Sequence, residues 1–299
     1  MSFLWVAATL IAAAGQTARN AMQSSLTAVI GTVGATQVRF LYGLPFALAF
    51  LLLTTLVSGE SIPAMTGKGF AFTAFGALTQ ITATALMLAT MRQKSFSVTT
   101  AYIKLEPVLV AVAGFIVLGD VLTPLKLLAI VIATAGVVTM SLKPGTGATL
   151  LTELRPALLG IVAGACFGLS AIGFRGGILE LGSGSFYMRA TTTLVWGLAL
   201  QTAILLIYLL VFDRTALTKS LAVWRQSLFA GFLGAFASQF WFLGFSLTTA
   251  ANVRTLALVE VLMAQAISRK VMAQEVAWRE IAGMALIVLG VAVLLWAQR

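Results

Sequence analysis

The chain is divided into apolar stretches of about twenty residues joined by short connections, and that alternation leaves few folds open. A stretch of this length is what an α-helix needs to cross the hydrocarbon core of a bilayer. Ten such segments are predicted, at roughly 3–22, 34–57, 69–91, 96–118, 122–142, 156–174, 184–212, 226–246, 249–268 and 278–297. Of the 299 residues, 60% are hydrophobic and 9% are charged, whereas a soluble domain of this size carries about 25% charged residues. Too little polar material is present to coat a water-exposed surface. The expected fold class is therefore all-α integral membrane protein.

Composition removes several chemistries. There is no histidine and one cysteine, Cys166. An intrachain disulfide, a His- or Cys-based metal site, and Ser-His or Cys-His catalysis are excluded. No phosphate-cradling glycine loop or Asp-rich transferase motif occurs, so direct use of ATP is not expected. Accordingly no catalytic residue, metal ligand or cofactor is assigned, and proton coupling and facilitated movement both stay open. The net charge of +10 comes from basic residues set singly in short loops. Membrane topology accounts for them better than nucleic acid. The start, "MSFLWVAATLIAAAG", lacks the basic region of a signal peptide and reads as the first span.

The sequence repeats itself. "GATQVRF" at 34–40 matches "GSFYMRA" at 184–190, and "LEPVLVAVA" at 105–113 matches "VEVLMAQAI" at 259–267, pairing Glu106 with Glu260. "AGVV" at 135–138 matches "LGVA" at 289–292, and "GALTQ" at 76–80 resembles "GAFASQ" at 234–239. The order is kept at shifts of about 150–160 residues. The layout expected is a five-helix repeat over 1–142, a linker at 143–155 and a second five-helix repeat over 156–299. An odd number of spans per repeat inverts the second relative to the first. Inverted repeats mark transporters with a midplane site between the halves; the bland alternative is duplication without transport. Loop Lys and Arg residues number ten on one face and five on the face that holds both termini. The excess places the first face in the cytoplasm and both termini opposite.

Six ionisable residues within the predicted spans need an explanation: Arg19, Arg39, Lys104, Glu106, Arg189 and Glu260. The arginines are expected to snorkel to the headgroups. Lys104 either does the same or neutralises a carboxylate. Glu106 and Glu260 are too deep to reach the interface easily, and are either structural carboxylates or binders of substrate or proton. Pro107 removes a backbone donor and crowds the carbonyl of Ile103, so it is expected to bend its helix and serve gating. Uncharged groups also share faces: Gln16, Asn20 and Gln23; Gln80 and Thr84; Tyr102 with Glu106; Phe167 with Ser170; and Gln239 near Phe242 and Ser246. Each alone is interhelical glue worth about 0.6 kcal/mol. Together Gln16, Asn20, Gln80, Thr84, Tyr102, Glu106, Phe167, Ser170, Gln239 and Glu260 form the candidate substrate cavity. Gly160, Gly164 and Gly168 read as a close-packing ridge.

The stretch "LEPVLVAVAGFIVLGDVLTPLKLLAIVIATAGVV", residues 105–138, carries Pro107-Val108, Leu118-Gly119-Asp120 and a closing Gly136-Val137. It resembles the EamA family of the drug/metabolite transporter superfamily. The second half departs from that pattern, with Val261 in the proline position and "AQE" at 273–275. The resemblance implies secondary export of small metabolites, often amino acids, from a central cavity in a bacterial inner membrane. The expected partners are a small-molecule substrate and the lipid bilayer, with no nucleic acid, and the working unit a monomer. A multidrug or organic-cation exporter using the glutamates is the alternative. An intramembrane enzyme would lack a catalytic set, and a receptor would lack an output domain.

Overall fold

The computed structural model describes residues 3–93, 103, 104, 106–141, 154–262 and 278–297. Every regular element among them is a helix: α1 (Leu4–Leu41), α2 (Leu44–Ser58), α3 (Gly67–Met91), α4 (Glu106–Leu118), α5 (Pro124–Ser141), α6 (Leu154–Leu179), α7 (Phe186–Phe212), α8 (Arg214–Ala222), α9 (Trp224–Leu247), α10 (Ala250–Leu256) and α11 (Trp278–Trp296). A further helical piece, 259–262, follows α10 after a turn at Ala257 and Leu258.

Among the described residues, six segments are long and apolar enough to cross a membrane: Leu4–Ser58, Gly67–Met91, Leu158–Leu179, Phe186–Phe212, Trp224–Leu247 and Trp278–Trp296. Two shorter apolar helices, Glu106–Leu118 and Pro124–Thr139, accompany them. Six long segments rather than ten is partly a matter of merging. The first, 55 residues long, takes in the predicted spans 3–22 and 34–57. The loop expected between those spans is absent because Gly31, at φ 74° and ψ 174°, lets helix run up to it on both sides. That left-handed φ is open to glycine at little cost. Gln23 braces the kink by donating from Nε2 to the Ala35 carbonyl at 2.9 Å. The predicted spans 96–118, 122–142 and 249–268 and the linker 143–155 lie partly outside the described residues.

Helix α8 has no counterpart in the predicted spans. It is polar on balance, opens on Asp213, whose Oδ1 accepts from the Ala216 N–H at 3.0 Å, and buries only Ala216 and Ser220. The sequence signal for it is the Asp213 cap, worth about 1 kcal/mol.

The helices pack in reciprocal pairs. α3 runs along α6, and α1 along α9; α5 pairs with α11, α4 with α10, and α2 with α7. Close approach at one pair fixes its glycines. A Cβ on Gly136 would lie 2.6 Å from the Gly283 carbonyl oxygen and 2.8 Å from Ile287, while one on Gly290 would lie 2.7 Å from the Ala129 carbonyl oxygen and 2.5 Å from the Ala133 nitrogen. Each helix thus presents a glycine to the same pair of positions on the other. Outward faces are apolar, with Leu56 72%, Val57 80%, Ile116 73% and Phe212 73% exposed. Such a surface suits hydrocarbon and not water.

Candidate functional site

The repeat-equivalent glutamates both stand where a helix is interrupted. In the first half Lys104 lies in a turn just ahead of α4, which opens on Glu106 and Pro107. Proline is tolerated in a first turn because its missing donor would be unsatisfied there anyway. In the second half α10 ends, the chain turns at Ala257 and Leu258, and tight i to i+3 bonds carry it forward: Leu258 N–H donates to Thr255 O at 3.1 Å and Glu260 N–H to Ala257 O at 2.9 Å. This half breaks without a proline. An interruption at this position is thus common to both halves.

The breaks bring four charges together across the halves. Lys104 Nζ meets Glu260 Oε2 at 2.6 Å, and Arg254 Nη1 lies 3.3 Å from Glu106 Oε1. Each half supplies one cation and one carboxylate, and the pairs cross. Gln16 steadies the first pair, donating from Nε2 to Glu260 Oε2 at 3.3 Å. Its Oε1 accepts from Trp241 Nε1 at 3.1 Å. Trp241 in turn lies under the Arg254 guanidinium, 4.6 Å from ring centroid to Cζ, a cation–π contact that strengthens when desolvated.

These ionic groups do not snorkel. Arg19, Arg39, Lys104, Glu106, Arg254 and Glu260 are all 0–4% exposed. Arg19 donates from Nε and Nη2 to Asn20 Oδ1, at 3.2 and 2.6 Å. Arg39 donates from Nη1 to Thr84 Oγ1 at 3.0 Å. Lys104 turns to Glu260 instead of the headgroups, the second of the two fates open to it. Arg254, counted above among loop cations, is inside the protein. Except for Arg19, which bonds its own neighbour, these groups meet partners that only the fold brings near. Arg189 is partly exposed.

At the centre is a void of about 20 Å³ lined by Gln16, Arg19, Asn20, Glu106, Phe167 and Glu260 from the two halves, with Met87, Ile103, Lys104 and Arg254 completing it. That is room for about one water molecule and not for an amino acid. Of the candidate cavity residues, Gln16, Asn20, Glu106, Phe167 and Glu260 meet here. Gln80, Thr84, Ser170 and Gln239 do not line it. Gln80 Oε1 accepts from Gln201 at 2.9 Å, Thr84 holds Arg39, Ser170 bonds the Phe167 carbonyl at 2.8 Å, and Gln239 donates to Thr191 at 2.8 Å. These bonds tie helix to helix or close a local turn. Tyr102 lies outside the described residues. Gly164 acts as packing: a Cβ there would fall 2.6 Å from the Ile103 carbonyl oxygen, so the glycine lets α6 reach the break beside Lys104.

A second polar cluster lies where α6, the end of α9 and the residues just after α4 meet. Arg175 Nη2 donates to Asp120 Oδ1 at 3.0 Å. Its Nη1 donates to the carbonyls of Phe245, at 2.6 Å, and Thr248. Nearby, Glu60 accepts from the Tyr187 hydroxyl at 2.6 Å and the Ser185 N–H at 2.8 Å, and Lys68 pairs with Glu180 at 2.7 Å.

A helical bundle with lipid-facing sides and a charged closed site at paired helix breaks is the architecture of a membrane transporter. Residues 3–142 and again 154–296 match the model of the EamA-like transporter family, and the chain belongs to that family of the drug/metabolite transporter superfamily. Family members are membrane transporters, not typically enzymes. A solved structure described as "Crystal structure of protein" superposes with a TM-score of 0.68 over 98% of this chain and 94% of its own, at 13% identity. That likeness shows the fold alone. Comparison with curated proteins found no match.

Proposed function

We propose that the chain is a secondary exporter of amino acids and related small metabolites, aromatic and other apolar amino acids included, as in the amino acid exporters of this family. The two halves, 1–142 and 156–299, act as inverted repeats that rock against each other around the crossed ion pairs, giving alternating access to a midplane site. The observation that carries this reading is the closed void between two repeat-equivalent helix breaks, with charges from both halves at its wall. Interrupted helices at the repeat interface are where transporters bind substrate. The reciprocal helix pairs and the exchange of Gly136 and Gly290 contacts favour the two-fold relation. In this reading the Arg175 cluster is the contact that holds one entrance shut.

The same reading places the protein in a bacterial inner membrane, as a monomer, with its more basic face in the cytoplasm. The organic-cation alternative gains less from the site: each glutamate already pairs with a cation of the protein, and Glu106 Oε2 is left without a hydrogen-bond partner among the described residues. Liposomes loaded with a mixture of labelled amino acids test the proposal. Release that depends on the purified protein is expected. No movement of any amino acid in either direction overturns it.

A further inference from the structure

Among the described residues the buried site carries more positive than negative charge, and some of its guanidinium nitrogens have no hydrogen-bond partner. Around and beside the void, four cations (Arg19, Arg39, Lys104 and Arg254) face two carboxylates, Glu106 and Glu260. Those carboxylates are taken by Lys104 and Arg254. Arg19 and Arg39 have only neutral acceptors, Asn20 and Thr84. The two stand side by side against α9, since a Cβ on Gly234 would lie 3.2 Å from Arg39 Cγ and 3.6 Å from Arg19 Cδ. Arg19 is 0% exposed, it lines the void, and its Nη1 has no hydrogen-bond partner; Arg39 Nε is likewise unpartnered.

A buried guanidinium without a counter-ion is strongly unfavourable. A guanidinium fork matches a carboxylate better than any neutral acceptor does. We infer that Arg19, backed by Arg39, receives the carboxylate of the substrate, and that the transported class is organic carboxylates, anions as readily as zwitterions, with cations excluded. This inference rests on the transporter reading above and assigns the chemistry of that same site. An amino acid zwitterion satisfies the fork but leaves the surplus charge in place. A simple carboxylate satisfies the fork and halves the surplus. An amine without a carboxylate would enter a site already in excess of cations.

The test uses purified full-length protein and two matched sets of probes: 3-phenylpropionate, phenylalanine and 2-phenylethylamine, and their ring-less counterparts propionate, alanine and ethylamine. Trp241, which touches both Gln16 and Arg254, reports binding by its fluorescence. Expected is saturable binding of a carboxylate in at least one set, with the anion bound no more weakly than the zwitterion, and none of the matching amine. Arg19→Gln is expected to weaken carboxylate binding at least about tenfold, and Arg19→Lys less. Asn20→Asp, which places an internal carboxylate on Arg19 without emptying the site, is expected to weaken it as well and decides the matter should Arg19→Gln not fold. Amine binding in the same range, carboxylate binding untouched by Arg19→Gln or Asn20→Asp, or no carboxylate response in the parent protein overturns the inference. Liposome flux of the same probes separates the two readings. Charge-selective binding with no flux removes transport and keeps this site, whereas flux indifferent to Arg19→Gln does the reverse.

Discussion

Lys104 Nζ and Glu260 Oε2 stand 2.6 Å apart, one from each half of the chain, with side chains 3% and 2% exposed. In that setting a charge that loses its partner is left uncompensated, and breaking such a pair from one side costs about 3–5 kcal/mol. The two sides are not equal here, because cations already outnumber carboxylates around the void. Glu260→Gln raises the surplus and is expected to destabilise by about that full amount. Lys104→Gln lowers the surplus and is expected to lose less. Thermal unfolding of both variants in one detergent checks the order; equal losses, or the reverse order, would contradict the charge accounting.

Arg254 combines an ion pair with Glu106 and a stack on Trp241. Lysine keeps the charge but loses the planar face and the fork. Arg254→Lys is expected to cost about 1–2 kcal/mol, and Trp241→Leu a similar amount, with the double variant costing less than the sum. A double-mutant cycle on unfolding free energies measures that coupling directly; strict additivity would show that the stack contributes nothing.

Much of this was legible in the sequence. Mean residue character alone predicts helices in a membrane, and the pairing of Glu106 with Glu260 came from self-similarity. The fate of the cations was not legible. Whether Lys104 reaches lipid headgroups or turns inward depends on a partner 156 residues away, and no local pattern encodes that distance. Arg254 was hidden by its neighbours: a predicted span edge at 249 makes it look like a loop residue, and only the packing of α10 against α4 carries it to Glu106. The helix break in the second half lacks the proline that announces its twin.

Arg175 ties α6 to Asp120 and to the end of α9 through two carbonyls. Arg175→Gln leaves those carbonyls short of a donor, at about 1–3 kcal/mol, and is expected to loosen that end first. A cysteine placed by Thr248→Cys should be alkylated several-fold faster in the Arg175→Gln background by a membrane-impermeant maleimide. Unchanged labelling would mean the cluster does not hold the end shut.

Glu60 lies outside the spans, and the hydrogen bonds from Tyr187 and Ser185 hold its carboxyl below the usual 4.5. A depressed folded-state pKa gives stability that is complete above the ordinary value and is lost as pH falls through the folded one. The parent protein is thus expected to lose a contribution only below about pH 4.5. Glu60→Gln should remove that part of the pH dependence while changing little at neutral pH beyond a constant offset. Melting curves across the acid range, parent against variant, check it.

Gly136 and Gly290 meet equivalent positions on each other's helices. Alanine at either forces a clash with backbone, expected to cost about 1–3 kcal/mol. The two losses should be alike, and the double variant should cost less than twice either one, since one displacement of α5 from α11 relieves both clashes. Losses that differ severalfold would argue against a symmetric contact.

The crossing of the two ion pairs has a mechanical consequence. Each pair joins the region of the helix break in one half to that of the other, so a separation of the halves at the breaks loads both bridges together. Partial openings would strand a bare charge in a dry interior, and they are driven up in energy by both bridges at once. What remains is a latch with two positions, fastened or free, in place of a spring that yields by degrees.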